Sequence, residues 1–557
     1  MTVERRKRLA LALISLGVAL RTWQYAGRGS LWLDEAALAR NVLARSWAEL
    51  LQPLDYTQVA PRGFLLATKA AASLLGPTEH ALRLYSFLLS VLALPLLYRL
   101  ARSILPERAA LLALGLFAVL GRPVFYASEA KQYSGDLFFA ILLLLLAMPL
   151  VRGDAGSRQI VAFGVAGAVA VWFSQPTVFV IAGIALVLAV AVTRGRMRPD
   201  RAIFAALAIC ALSAGAAVYA TLHTFPPADA AYMRSFWERG FLPWPPAARL
   251  SFVRDAIAWP FTGLYGLFYD LLGMPVATIG AALALLGAVA LWRRERAALL
   301  LLLAPIAVTI GAGALRIFPF ATTLDGFNKL AAGNARLLLF LLPALVLLVV
   351  AGLDALLDAP RIATRRAGRA LAVLTLGTPL YYDLAEIPYT PHDLRAVIAA
   401  ASRYVHPGDR LYVYYGARQS FELYRARFPF PDSATVRGEC HRPAWREYLR
   451  DLDALRGTGR VWVLMVRPAL VNGVAEGQMI DDYLGQVAPR LARWGQKDAN
   501  LSLYDMRIVN PMRGDRAAWH PERRALPGDT VALGFSCAGI FSAPHGGVTD
   551  RRNPQLR

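Results

Sequence analysis

Of 557 residues 57% are hydrophobic and 18% charged, with a formal net charge of +22. A water-soluble fold has no use for that much apolar side chain, and so positive a charge would point to nucleic acid only if it were gathered on one face. Here the basic residues fall in short segments between apolar runs near the ~20-residue length that crosses a bilayer as a helix, which marks a polytopic membrane protein and excludes a nucleic-acid partner.

The start of the chain, "VERRKRLALALISLGVALRTWQYAG", has the basic front and apolar stretch of a secretion signal, but "WQYAG" is a poor small-x-small cleavage site, so we read a retained first helix. Apolar segments follow at about 9–25, 82–100, 109–127, 134–151, 160–174, 176–193, 202–222, 273–292, 297–315, 336–357 and 368–382. Starting inside after "ERRKR", alternate loops read "ARSILPER", "VRGDAGSR", "TRGRMRPDR", "WRRER" and "RIATRRAGR". All are short and arginine-rich, so the positive-inside rule is satisfied with about eleven transmembrane helices, and an odd number sends the C-terminus outside. The stretch around 252–272 is apolar but broken by Pro, Gly and acids; counting it as a span would invert every later loop, so it is expected to be interfacial or re-entrant.

The outer loops are expected at 26–81, 125–133, 223–258 and 316–335. In the first, "EAALARNVLARSWAELL" and "RGFLLATKAAASLL" alternate at helical spacing and read as amphipathic helices lying in the interface. After about Leu384 the composition turns to that of soluble protein. Helical patterns "HDLRAVIAAASRYV", "RQSFELYRARF" and "MIDDYLGQVAPRLARWG" alternate with strand patterns "DRLYVYYG", "GRVWVLMV" and "LSLYDMRIV", giving a C-terminal soluble α/β domain over 384–510 behind a transmembrane domain over 1–383. Residues 511–557, dominated by Arg, Pro and Gly, read as a poorly ordered tail. Cys210 lies in an apolar run, and Cys440 and Cys537 are expected as unpaired thiols, with a bond between them as the alternative in an oxidising compartment.

The acids at the outer boundary carry the chemical signal. Asp34 and Glu35 follow the first apolar segment, and the compact "YASEAKQYSGD" crowds Tyr126, Glu129, Lys131, Tyr133 and Asp136 at the ends of two adjoining helices. Solvated loop charges explain Asp34 or Glu129 singly, and snorkelling to headgroups explains Lys131; neither explains the grouping as well. Breaking the bond between an anomeric carbon and a phosphate leaves negative charge on the phosphate and an oxocarbenium-like sugar, while the incoming hydroxyl must lose a proton. One carboxylate and one cation are the minimum for that. Arg316 and Arg336 flank the last outer loop and can reach a phosphate, although helix-end arginines more often anchor to lipid. Arg234 and Trp237, in "MRSFWERGFLPWPP", fit either an aromatic belt or an acceptor contact. The histidines and cysteines have no metal-ligand spacing; Asp34, Glu35 and Glu129 offer oxygen ligands that would suit Mg²⁺ or Mn²⁺, but nothing requires a metal and none is assigned.

In order and spacing, "LWLDEA", "LDYTQVAPRGFLLATKAAASLLGPTEHALRLYSFLLSVLALPLLYRLAR" and "VFYASEAKQYSGDLF" resemble the N-terminal half of the type C membrane glycosyltransferases, in the branch related to protein O-mannosyltransferases and to lipid A aminoarabinose transferases. The likeness covers about 9–195 and later rests on "RIFPF" and "NARLLLFLLPAL". It implies the type C fold and transfer of a sugar from a polyprenyl-phosphate donor to a glycolipid, polysaccharide or protein acceptor at the outer face of a bacterial inner membrane, with inversion. The family's acidic motif in the first outer loop falls on Asp34 and Glu35 and its Glu-x-Lys/Arg-x-Tyr motif in the second on Glu129, Lys131 and Tyr133. Asp34, Glu35 and Glu129 are therefore expected as catalytic acids and Lys131 and Tyr133 at the donor phosphate; from their positions in the outer loops, Arg316 and Arg336 are further candidate phosphate contacts and Tyr126, Arg234 and Trp237 candidate acceptor or sugar contacts. The family's residue before the loop proline is often His or Pro, whereas this chain has "QVAP". Two other readings remain: a transporter of lipid-linked sugars, which would hold its ionisable groups near the bilayer midplane, and a non-catalytic assembly factor.

Overall fold

The computed structural model describes residues 2–27, 29–242, 276–320, 334–390, 393–441, 444–466, 474–496 and 499–507, with a few isolated residues between. The expected re-entrant stretch lies almost wholly, and the C-terminal tail wholly, outside the described residues, as does most of the last outer loop. Every one of the eleven apolar segments is helical: α1 Val3–Gly27, α4 Glu79–Ile104, α5 Glu107–Val119 with α6 Gly121–Tyr126, α7 Tyr133–Arg152, α8 Ser157–Phe173, α9 Thr177–Thr193, α10 Arg201–Thr224, α12 Val276–Arg294, α13 Arg296–Ala314, α14 Leu342–Leu357 behind the 3₁₀ turn Asn334–Leu341, and α15 Ile362–Glu386. Among the described residues seven are long and apolar enough to cross a membrane, and α8 and α9 are shorter apolar helices.

Two devices shape the bundle. The run expected at 109–127 divides at Leu120, because Pro123 has no N–H to give the carbonyl of Val119. The carbonyls left near the break are taken by buried Arg21 of α1, whose guanidinium donates to Phe117 O at 3.2 Å, to Ala118 O at 3.1 Å and to Ser90 Oγ of α4 at 2.9 Å. At the α12–α14 crossing a Cβ on Gly287 would sit 1.9 Å from the Leu348 carbonyl oxygen, and one on Gly352 2.0 Å from that of Leu283, so only glycine allows the two backbones to touch.

The arginine-rich segments meet at one end of the bundle. Arg108 and Arg294 both pair with Asp354, at 2.6 and 3.3 Å, and Arg152 pairs with Glu295 at 3.4 Å. Three of the five basic loops, "ARSILPER", "VRGDAGSR" and "WRRER", are thereby joined on one face, as alternating topology requires.

At the other end, α2 Leu33–Ala44 and α3 Arg62–Leu75 occupy the first outer loop, with α11 Pro227–Phe236 beside them. The expectation that "EAALARNVLARSWAELL" is one helix lying in the interface needs correction. α2 ends at Ala44, the chain is extended at Arg45, and Glu49–Leu51 is a separate 3₁₀ turn. Its buried residues include Glu35, Arg40 and Asn41, because α2 is covered by protein on the side where bilayer headgroups were expected.

What covers it is the C-terminal domain. A five-stranded sheet has the order β2-β1-β3-β7-β6, with β1 Arg410–Val413 parallel to both β2 Thr435–Arg437 and β3 Arg460–Val466, and β7 Ala499–Asp505 antiparallel to β3 and to β6 Arg490–Gln496. Two short strands, β4 Leu470–Val471 and β5 Val474–Ala475, form a separate hairpin. Helices α16 Leu394–Tyr404, α17 Arg418–Leu423, α18 Trp445–Asp453 and α19 Glu476–Val487 complete it. The pattern at 479–495 is not one helix: α19 stops at Val487, just before Pro489, and the remainder pairs as β6, since Pro489 cannot continue the i→i−4 ladder. One apolar cluster joins Leu31, Leu38, Val42 and Phe64 of the first outer loop with Leu394, Leu411, Phe421 and Trp462 of the sheet domain. Polar contacts reinforce the joint: Leu31 N–H donates to the Tyr424 hydroxyl at 2.8 Å, which donates to Glu79 at 2.9 Å, and Arg40 donates to Gln419 at 2.7 Å. Cys440 is disulfide-bonded, which corrects the expected free thiol, while Cys210 is a buried free cysteine.

Candidate functional site

Asp34 and Glu35 form the first turn of α2, where the helix dipole favours negative charge. Neighbours in sequence, they point apart. Glu35 is fully buried and accepts from Arg83 Nε at 3.0 Å and Nη2 at 2.9 Å, from Ala130 N–H at 2.7 Å and from Trp32 N–H at 3.3 Å. Both oxygens are engaged, and they tie the start of α2 to α4 and to the second outer loop. Arg83 also donates to the Gly29 carbonyl at 2.8 Å, so the bidentate pair holds the chain as it leaves α1.

Asp34 faces the other way and keeps 22% of its side chain exposed. Its Oδ2 accepts from Arg336 Nη1 at 3.2 Å. The Arg336 guanidinium lies 5.8 Å from the ring centroids of both Trp32 and Tyr133, and the Tyr133 ring meets that of Tyr126 edge to face at 5.2 Å. Trp32 Nε1 donates to Glu129 Oε1 at 2.9 Å. Lys131, buried, donates to Gln58 Oε1 at 2.7 Å, and its backbone carbonyl accepts from Ser86 Oγ at 2.6 Å. Burial lowers the Lys131 pKa; the field of Asp34 opposes that shift, and the charge of Arg336 adds to it. Asp34, Glu129, Lys131, Tyr133 and Arg336 thus form one polar cluster at the end of the bundle opposite the basic loops, with Tyr126 packed beside it.

Gln58 reaches Lys131 from a strained loop. Tyr56 and Thr57 have φ of 63° and 51°, a left-handed conformation unusual for non-glycine residues, and their surroundings hold them there. Arg40 lies 4.8 Å over the Tyr56 ring, Thr57 Oγ1 donates to Asp229 of α11 at 2.7 Å, and Asn41 bonds both the N–H and the carbonyl of Asp55.

The remaining candidates are not in the cluster. Arg316 pairs with Glu238 at 2.5 Å and lies 5.3 Å over the Phe241 ring. Trp237 is buried with Phe241 against Leu337, which closes its ring to a sugar, and Arg234 is exposed on α11, donating to the Ala230 carbonyl at 3.4 Å. Reading the sequence alone missed Arg83, Trp32 and Gln58. Arg83 had a usable signal, since an arginine one turn into an apolar helix needs a buried partner. Among the described residues no three His, Cys, Asp or Glu side chains are grouped to hold a metal ion.

Residues 60–220 match the family model described as dolichyl-phosphate-mannose-protein mannosyltransferase, which bears out the resemblance to type C membrane glycosyltransferases related to protein O-mannosyltransferases. The match includes Glu129, Lys131 and Tyr133 but ends before Arg336 and begins after Asp34. Among solved structures the chain is similar to the oligosaccharyltransferase AglB of Archaeoglobus fulgidus, at 12% identity and TM-score 0.49 over 89% of this chain and 74% of that one. It is also similar to ArnT of Cupriavidus metallidurans, at 12% identity and TM-score 0.42 over 91% of this chain and 99% of that one. No curated protein matches it in sequence.

Proposed function

We infer that the protein is a lipid-linked-sugar-dependent glycosyltransferase that moves one sugar from a polyprenyl phosphate to an acceptor hydroxyl by inverting single displacement. The observation that carries this is the cluster itself: a partly exposed carboxylate, Asp34, beside two cations, Lys131 and Arg336, at the end of the bundle away from the basic loops. The family match over 60–220 supports a glycosyl transfer drawing on a lipid-phosphate donor. A transporter would need its charges near the bilayer midplane, whereas these stand at helix ends.

In this reading Asp34 takes the proton of the acceptor hydroxyl as its oxygen attacks the anomeric carbon. The carbon–oxygen bond to the lipid phosphate breaks and its electron pair leaves with the phosphate, whose charge Lys131 and Arg336 receive. Attack opposite the leaving group inverts the anomeric centre. Preorganised charge of this kind is worth on the order of 2.7–4 kcal/mol per well-placed donor. The Asp34–Arg336 pair gives the order of events: a donor phosphate competes for Arg336 and frees the carboxylate for the acceptor. Residues 1–383 then carry the reaction, and 384–510 form an outer domain that closes over α2.

The test is transfer by purified protein in lipid vesicles, supplied with polyprenyl phosphates carrying mannose, glucose or arabinose and with membrane glycolipid as acceptor. Sugar transfer by wild type and its loss in Asp34→Asn are expected. A wild-type protein that carries these lipids across the bilayer without transferring their sugar would establish the transporter instead.

A further inference from the structure

Lys131 is a buried cation with carboxylates around it, yet its side chain is hydrogen-bonded to an uncharged group. Asp34 and Glu35 from α2 and Glu129 from its own loop lie near enough to favour its charge, and Arg336 opposes it. Its Nζ donates to Gln58 Oε1 at 2.7 Å, and among the described residues that is the one hydrogen bond Nζ makes. An ammonium carries three N–H donors, so two are left over. The Gln58 amide cannot be turned round. Its Nε2 donates to the Tyr56 carbonyl at 3.2 Å, and an ammonium, having no acceptor, requires Oε1 on its own side.

The turn that delivers Gln58 is held from several sides. Thr57, β-branched with a φ of 51°, is fixed through Oγ1 by Asp229 of α11, and the Tyr56 ring lies under Arg40. Arg40 in turn donates to Gln419 of the sheet domain. Asp55, just before the turn, pairs with Arg45 at 3.0 Å, both side chains buried. Left-handed backbone at a β-branched residue persists only where the surroundings impose it, and it collects at functional sites. Here the turn leads straight into Gln58. A buried lysine is usually paired with a carboxylate, which cancels its charge. An amide acceptor instead fixes the direction of the ammonium and leaves its charge for an incoming anion, which then has no carboxylate to displace from it.

We propose that Gln58 is a positioning residue that holds Lys131 for the donor phosphate, leaving it two N–H donors and an uncancelled charge. This rests on the reading of Lys131 as a donor-phosphate contact and says how that contact is set. A carboxylate at position 58 would keep the hydrogen bond but cancel the charge, whereas a thioether of the same length would leave the ammonium without a strong acceptor. The two substitutions weaken phosphate binding for different reasons, and they move the pH at which the ammonium is lost in opposite directions.

The experiment titrates polyprenyl phosphate without sugar into wild type, Gln58→Glu and Gln58→Met in vesicles from about pH 7 to about pH 10, the range in which a shifted lysine is lost. Gln58→Met is also made together with Lys131→Met. At neutral pH both single variants should bind about tenfold more weakly than wild type, the worth of a hydrogen bond to a charged group. The decline of affinity with rising pH should begin higher than in wild type for Gln58→Glu, whose carboxylate keeps the proton on Lys131, and lower for Gln58→Met. Both variants lose the bond to the Tyr56 carbonyl, and Asp34, Glu35, Glu129, Arg336 and the titrating phosphate are common to all the proteins, so opposite shifts belong to the contact with Lys131. With Lys131→Met in place, Gln58→Met should weaken binding no further. Shifts in one direction, no shift, or the same weakening by Gln58→Met with and without Lys131 overturn the proposal and leave Gln58 as part of the fold. If Gln58→Met does not fold, the upward shift in Gln58→Glu decides alone. Lys131→Met that binds the lipid as tightly as wild type would instead remove Lys131 from the phosphate, and the underlying reading fails before this one.

Discussion

Asp34 and Arg336, 302 residues apart in the chain, meet in a 3.2 Å ion pair at the end of the bundle opposite the arginine-rich loops. The pair joins the first outer loop to the last and holds the proposed base beside the proposed phosphate contact. Asp34→Asn keeps the side chain's size and much of its hydrogen bonding while removing the base. Turnover should fall ~10²- to 10⁴-fold, the usual worth of general-base assistance, with expression and donor binding kept. Steady-state transfer alongside donor binding separates the two; wild-type turnover in the variant would move the base to Glu129.

Arg336→Lys keeps the charge but loses the planar fork and its stacking against Trp32 and Tyr133. Donor affinity should fall about tenfold in Arg336→Lys and further in Arg336→Ala, both read by titration with polyprenyl phosphate. Equal affinity in all three proteins would remove Arg336 from the phosphate and leave it as the partner of Asp34 alone.

Burial lowers the pKa of Lys131, so its charge is lost at lower pH than that of an ordinary lysine. Donor affinity should decline with rising pH already below the ordinary lysine range, while Lys131→Arg, whose guanidinium stays charged, should bind more weakly at neutral pH but with a flat profile. For folding the sign is the reverse: the unfolded chain binds this proton more tightly, so between the lowered and ordinary pKa stability rises with pH. A donor-binding profile identical in wild type and Lys131→Arg would show that Lys131 does not meet the phosphate.

Glu35 and Arg83 are both buried, and removing one partner leaves a charge with no water to solvate it. Arg83→Met should destabilise by about 3–5 kcal/mol, while Glu35→Gln, which keeps one acceptor oxygen for either the Ala130 or the Trp32 N–H, should cost less. Thermal unfolding in detergent gives the ranking. With both Glu35 oxygens already bonded to Arg83, Ala130 and Trp32, surviving Glu35→Gln protein should keep its affinity for acceptor.

The joint at Tyr424 predicts that the sheet domain stands on the same side as Asp34. A reporter that works only after export should be active when fused after Tyr389. Activity of a cytoplasmic reporter there would place the site and the domain inside the cell.

Hydropathy was enough to mark out the apolar helices among the described residues, because a span must satisfy its backbone within one segment and so writes its length into the sequence. Local order likewise put Glu129, Lys131 and Tyr133 together, as they share one short loop. Sequence reading failed where the deciding partner is distant. Asp34 and Glu35 look equivalent as neighbours, and only the arrival of Arg83 from α4 and of Arg336 from the far end of the chain gives one a structural bond and leaves the other open. The helix read through 479–495 failed for the same reason: once Pro489 ends α19, the hydrogen bonds of Arg490–Gln496 are supplied by β7. A helix contains its own hydrogen-bond partners and is legible locally, whereas a buried ion pair or a strand has its partner elsewhere and is decided by the fold.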